Sequence, residues 1–307
     1  SYDGIYAASE SGTIVNSGSI IGTVIGIEFA DSPTRTNVSI DSNGLIAGAS
    51  GIVISGQHAS ITFGAGSQVM ATTYGVLNNG ADMVLKNAGT ITASGGVAAY
   101  QGSTGVDNVT NTGEIVGNVN LGDGADKFRE SGAGHVVGIV AGGLGDDTYF
   151  LTSNKMRVSE TNGEGTDTVR ASGSYSIANE GEVENLILVG KAKINATGNE
   201  YANVVKGNAG INHIDGGLAA DSLSGGRGDD LFIFAKGSSG DTITDYIDGH
   251  DHIKISGYDT FHAFNNLVIT RHADDVLIDF SGEMAGDSLL IEHAKVKDFD
   301  KTDFVFG

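Results

Sequence analysis

Apolar residues return along the first 120 residues at a nearly fixed step, and this self-similarity constrains the fold more than any other property of the chain. Ile46, Val69, Ile91 and Ile115 follow one another at intervals of 23, 22 and 24 residues. Inside each unit comes a glycine-led apolar pair: Ile52-Val53 after Gly51, Val76-Leu77 after Gly75, Val97-Ala98 after Gly96. A third apolar spot lies near Ile61 and Val84, and each unit closes in a polar turn such as Asn87-Ala88-Gly89 or Asn111-Thr112-Gly113. Gly12-Thr13-Ile14 reads as an earlier, irregular member, and residues 31–36 read as a loop inserted into that coil. Three short, β-branched segments in 22–24 residues are too short for helices and suit one coil of a parallel β-helix. Glycine and asparagine at the corners supply positive φ. Stacked coils bury an apolar interior column, and corner Asn and Ser residues are placed to stack into ladders. An antiparallel sandwich with regular turns is the competing reading, and it gives no reason for a 22–24-residue repeat.

The side-chain inventory narrows the function classes. Glycine supplies 48 of 307 residues, with one proline and no cysteine or tryptophan. Collagen is excluded because the glycines keep no period of three. Absence of cysteine excludes disulfides and thiolate metal sites. Thirty-eight acidic against 17 basic residues give a net charge of −21, which excludes a nucleic-acid partner and disfavours anionic lipid. No apolar run approaches the roughly 18 residues of a membrane span, so no membrane insertion is expected. Residues 1–120 hold only Arg35 and Lys86 as bases and eight scattered acids: Asp3, Glu10, Glu28, Asp31, Asp41, Asp82, Asp107 and Glu114. Their one histidine is His58, and no Asp/Glu/His cluster forms. This part is therefore read as scaffold, with no catalytic residue assigned, although a glycosidase-type carboxylate pair stays open. After residue 120 there are 15 bases and 30 acids, an excess that calls for a cation.

From Gly198 the chain runs in four tandem nonamers, starting at Gly198, Gly207, Gly216 and Gly225. Gly225–Ile233 fits the pattern G-G-x-G-x-D-x-U-x, U being a large apolar residue, at every position, and so does Gly142–Phe150. In such a loop glycines let backbone carbonyls turn inward and the aspartate closes the loop with a carboxylate. Two loops then offer the six to eight hard oxygens that Ca²⁺ takes. The apolar residues Val205, Ile214, Leu223 and Phe232 point inward. If two nonamers make one coil, loops 18 residues apart share an edge, and Asn203 then faces Asp221 and Asn212 faces Asp230. The asparagines remove charge and weaken the first sites. Candidate ligating positions in the nonamers are Asn203, Gly207, Ala209, Asn212, Gly216, Gly217, Ala219, Asp221, Gly225, Gly226, Gly228 and Asp230. A second ladder is inferred from Asp126, Asp147 and Asp167, with Gly143 and Gly145 in its middle loop and Phe128, Tyr149 and Val169 two positions after each aspartate. His250 and His252 flank Asp251 and are read as a solvated turn rather than a transition-metal site.

These motifs resemble the RTX family, the hemolysin-type calcium-binding proteins of Gram-negative bacteria. The stretch from Gly240-Asp241 through Asp274–Phe280 is similar to the C-terminal part of serralysin-type members. That resemblance implies two nonamers per coil of a parallel β-roll, several Ca²⁺ ions, and a role for Asp241 in completing the last site. It also implies that Lys301–Gly307 ends a type I secretion signal at the natural C-terminus, with the type I secretion apparatus as a partner during export. Neither H-E-x-x-H nor G-x-S-x-G occurs, so proteolysis is not carried over. The expectation is an all-β chain: a parallel β-helix over 1–120, transitional calcium-binding coils over 121–197, a nonapeptide β-roll over 198–240 and a strand-rich cap over 241–307. The function expected is that of a secreted, extracellular or cell-surface, non-enzymatic structural or adhesive protein. It folds on extracellular calcium and self-associates end to end, because Ile5-Tyr6 begins in strand-like sequence with no helix to cover the coil. Alternatives are a secretion and folding module of a polysaccharide-acting enzyme, or a monomeric protein binding calcium and extracellular polysaccharide.

Overall fold

A computed structural model describes residues 3–7, 11–29, 37–56, 58–80, 82–152, 154–161 and 163–307. The loop expected at 31–36, with Asp31 and Arg35, and Glu10 lie outside them. The chain divides into two units, Ser1–Asp167 and Thr168–Gly307. Each is a solenoid of parallel strands, and among the described residues the only helical segments are two single 3-10 turns, Phe264–Asn266 and Val296–Asp298.

In the first unit the sequence repeat is the strand register. Ile46 pairs with Val69, Val69 with Ile91, and Ile91 with Ile115. The strand Leu45–Ile54 shifts register between Gly48 and Ser50, where the chain turns a corner. It therefore supplies two sides of the coil, and His58–Phe63 supplies the third. Most inward positions bury a β-branched or aliphatic residue. Ile46, Ile52, Ile61, Val76, Leu85, Ile91 and Ile115 are all fully buried.

Three details of the sequence reading are corrected by the register. Leu85, not Val84, stacks on Ile61, because alternation along Asp82–Asn87 turns Val84 outward. Val76-Leu77 carries Tyr100-Gln101, which follows Ala99, rather than Val97-Ala98 above it, so the glycine-led pair is not repeated in this coil. Gly12-Thr13-Ile14 sits in the strand Ser11–Asn16 under Asn37–Ser42, and the residue beneath Ile46 is Ile20.

Buried corner residues form the expected hydrogen-bonded stacks. Asn87 Nδ2 donates to Asn111 Oδ1 (2.8 Å), Gly89 O and Glu114 O, while Asn87 Oδ1 accepts from Gly89 N. Lower down, Asn16 Nδ2 donates to Ser42 Oγ (3.1 Å). Phe63 occupies the rung between Ser42 and Asn87 and interrupts the polar column with a ring.

The second unit is a two-sided roll. One sheet runs through Asn185–Leu188, Val204–Lys206, Ser222–Ser224, Gly240–Ile243 and Ser288–Ile291; the other runs through Ala196–Thr197, His213–Asp215, Leu231–Ala235, His252–Ser256 and Phe304–Phe306. Val204 pairs with Ser222 and His213 with Leu231, which is the 18-residue coil of two nonamers. Val205, Ile214, Leu223 and Phe232 fill the interior. The parallel order ends in an antiparallel meander, Val268–His272, Asp275–Asp279 and Ser288–Ile291. Phe234, Tyr258 and Phe280 stack there with ring centroids 4.9–6.3 Å apart. The C-terminal strand Phe304–Phe306, within the expected export signal, pairs with Ile253–Ile255.

Asn87→Ala removes a buried donor to three acceptors and strands them. It is expected to lower unfolding free energy by about 2–3 kcal/mol, read as a lower urea midpoint at fixed calcium.

Candidate metal centre

The glycine-rich loops fall at one corner of successive coils, and their aspartates stack. In the first unit the amide of Asp107 donates to Asp126 Oδ1 (2.7 Å), that of Asp126 to Asp147 Oδ1 (2.7 Å) and that of Asp147 to Asp167 Oδ1 (2.8 Å). Two shorter ladders stand in the second unit. Asn203 N donates to Asp221 Oδ1 (2.7 Å) and Asp221 N to Asp241 Oδ1 (3.0 Å). On the other edge Asn212 N donates to Asp230 Oδ1 (2.7 Å) and Asp230 N to Asp251 Oδ1 (3.0 Å). All these aspartates are buried.

One carboxylate oxygen is thus fixed by the coil below, and the other faces the loop. Oδ2 of Asp126, Asp147, Asp221 and Asp241 is buried without a hydrogen-bond partner. A buried carboxylate oxygen with no donor is costly. A hard cation satisfies it, and the surrounding donor set is all oxygen. The residues present therefore fit Ca²⁺. Burial pushes Asp126 and Asp230 up to about 6, Asp147 and Asp221 to about 7, and Asp241 to about 8. Neighbouring carboxylates add to the rise: Asp123 at Asp126, Asp126 and Asp167 at Asp147, Asp221 at Asp241. No base of the protein is among the causes at these five groups, so each carboxylate, once ionised, lacks a compensating charge that a bound cation would supply.

The loop glycines serve two needs. Gly143, Gly145, Gly217, Gly226 and Gly228 have positive φ. At Gly228 (φ +142°) a Cβ would also press on Gly210 O of the preceding coil and on Asp230 Oδ1. Gly207, Gly216 and Gly225, at the first nonamer position, lie directly under Asn212 Oδ1, Asp221 Oδ2 and Asp230 Oδ2, leaving no room for a Cβ. Ala219 holds the left-handed φ of +70° where the pattern has glycine. Ala209 is outside the positive-φ set, and its amide donates to Gly190 O.

Asparagine changes the lower rungs in kind. Asn203 Nδ2 donates to Val183 O (2.9 Å) and Asn212 Nδ2 to Ile194 O (2.6 Å). An amide N–H there meets carbonyls of the preceding coil, the role a cation has between two carboxylate loops.

Three ladder or corner acids escaped the sequence reading. Asp107 ends a loop of the same shape, Gly102-Ser-Thr-Gly105-Val-Asp107, 19 residues before Asp126, with buried Val109 two positions on. Tyr100 Oη donates to its Oδ2 (2.6 Å). Asp251, read as part of a histidine turn, caps the Asp230 ladder; its Oδ2 accepts from Ile247 N and its amide donates to Ile247 O, so the ladder stops there. His250 instead meets Asp229 at 2.9 Å on the surface. Glu160 carries no loop motif. Among the described residues, the one convergent group of three or more His, Asp or Glu side chains is Asp147, Glu160 and Asp167.

Comparison with known proteins agrees with this geometry. Residues 197–232 match the model of the RTX calcium-binding nonapeptide repeat in four copies. These repeats and the parallel β-solenoid fit an RTX-type parallel β-helix protein. Repeats of this family bind calcium and typify secreted proteins of Gram-negative bacteria. Among the described residues no helix is long and apolar enough to cross a membrane. The chain is 33% identical over 127 residues to endo-1,3-1,4-beta-glycanase ExsH of Rhizobium meliloti (strain 1021), covering 41% of this chain and 26% of that protein. It thus spans about a quarter of the length of that relative. A solved structure, the extracellular lipase LipA of Serratia marcescens, aligns over 89% of this chain and 45% of its own at 13% identity and a TM-score of 0.29.

The raised carboxylates set a pH dependence. Unfolded, these aspartates release protons near their ordinary value of 3.8; folded without metal, they hold them up to about 6–8. The metal-free fold therefore binds more protons across that window and loses stability as pH rises through it. Calcium needs the ionised form. In excess chelator the melting temperature should fall between pH 5 and pH 8, and the rise on adding calcium should be larger at pH 8 than at pH 5. Separately, Ala219→Gly relieves a left-handed alanine and should raise calcium-loaded stability by about 0.5–1 kcal/mol, measured by urea unfolding.

Proposed function

We propose that the chain is a secreted structural or adhesive protein whose calcium ions act as mortar between coils, so that it folds after export. The observation that carries this reading is the set of buried, partnerless carboxylate oxygens repeated from coil to coil. Where calcium is scarce, the acidic loops repel one another and the glycines favour the disordered chain. Such a chain suits passage through the type I secretion apparatus. At extracellular calcium, sites with dissociation constants on the order of 10⁻⁴–10⁻³ M each add about 1 kcal/mol by mass action. Several stacked sites together then approach the stability of a whole domain.

Self-association through coil ends belongs to the same reading. The side chains of Ser11–Asn16 that alternate inward are mostly half-buried, whereas those of His58–Phe63 are buried. Stacked parallel coils associate with a second copy most simply by head-to-tail contact. The sequence match to a glycanase favours a second reading, in which the chain is the calcium-folding part of a larger enzyme acting on extracellular polysaccharide.

On titrating calcium from excess chelator to several millimolar, β circular dichroism should rise steeply, and light scattering should report particles larger than one chain. Equal β content in chelator would overturn calcium-driven folding. A calcium-loaded monomer that binds mixed-linkage β-glucan would replace assembly by the second reading.

A further inference from the structure

Glu160 lies just past the strand Arg157–Ser159, whose register places Ala141 beside Ser159. The next residue up the stack from Gly142 is therefore Glu160. A Cβ on Gly142 would strike Asp147 Oδ2, Tyr149 Oη and Glu160 Oε1 together, so glycine opens this corner for three polar groups at once. Glu160 is 5% exposed and Asp147 1%. Tyr149 Oη donates to Glu160 Oε1, while Glu160 Oε2 and Asp147 Oδ2 are buried with no partner. One carboxylate oxygen from each of Asp147, Glu160 and Asp167 lies within 4.8 Å of the others. Three carboxylates converging away from water repel one another unless a cation sits among them.

We propose that Glu160 completes a buried three-carboxylate calcium site with Asp147 and Asp167, using a ligand that none of the glycine-rich loops supplies. All of its donors are hard oxygens, which select calcium over softer metals. Calcium affinity rises with ligand charge. A site of three carboxylates should therefore fill before the sites of the 198–233 nonamers, where asparagine replaces aspartate in two loops. This site lies in the first unit, outside the matched repeats, so calcium binding by those repeats does not depend on it.

The test uses the full chain and two ions, calcium in a chelator-buffered titration and terbium(III), a calcium-sized ion whose emission is excited through a nearby tyrosine. The chain has no tryptophan, which leaves Tyr149 as the antenna at this corner. Glu160→Gln should weaken the tightest calcium phase at least tenfold and abolish the terbium emission that comes up first. In excess chelator it should melt no lower than the parent, since a buried charge is gone. Tyr149→Phe keeps all three carboxylates and should keep the calcium titration while losing the early emission, which serves if Glu160→Gln does not fold. Asp221→Asn should alter only later phases. A Glu160→Gln titration superimposed on the parent's, or early emission retained in Tyr149→Phe, overturns the site and makes Glu160 a neutral core acid held by Tyr149. Should Asp221→Asn also titrate like the parent, calcium binding at the repeats falls with it.

Discussion

The glycine-rich corners of this molecule depend on a single hydrogen bond repeated: a backbone amide of one coil donating to an aspartate oxygen of the next. That bond does two things at once. It fixes the vertical register of the loops, and it holds the carboxylate with its second oxygen inside. A side chain free to swing would turn that oxygen to water, where an ion would compete with full hydration. Held in place, the oxygen is already desolvated, and a proton or a cation recovers part of the free energy lost on burial.

The two units apply this device to different coils. In the first, three-sided coils of 18–26 residues carry an aliphatic column, a separate Asn and Ser column, and one carboxylate ladder rising from Asp107 to Asp167. In the second, two-sided coils of 18 residues carry a ladder on each edge. The smaller coil has less apolar interior per residue. Its inward positions are single residues such as Val205 and Leu223, so a larger share of its cohesion passes through the loops.

Much of this was legible in the residues, because the repeat length of a solenoid is its register. The spacing of Ile46, Val69, Ile91 and Ile115 is the pairing of their strands, and the 18-residue step puts Asn203 on Asp221. Errors arose where one residue decides which way a strand faces. Val84 and Leu85 are equally apolar, and only the pleat relative to Ile61 selects Leu85. Val97-Ala98 failed because a corner absorbs residues that the interval alone does not reveal. Asp107 was visible in principle, since its loop has glycines and a following valine at the right offsets. Glu160 was not. Its place beside Asp147 comes from stacking over Gly142, a relation between coils that no local pattern encodes.

The side-chain amides of Asn203 and Asn212 reach back to carbonyls of the coil beneath, and this gives the second unit an ion-independent foothold. Those contacts need no ion, because the donating N–H is covalently part of the chain. The register of the lowest rungs on both edges is therefore set by the chain's own amides, and only the rungs above them present a carboxylate oxygen left open.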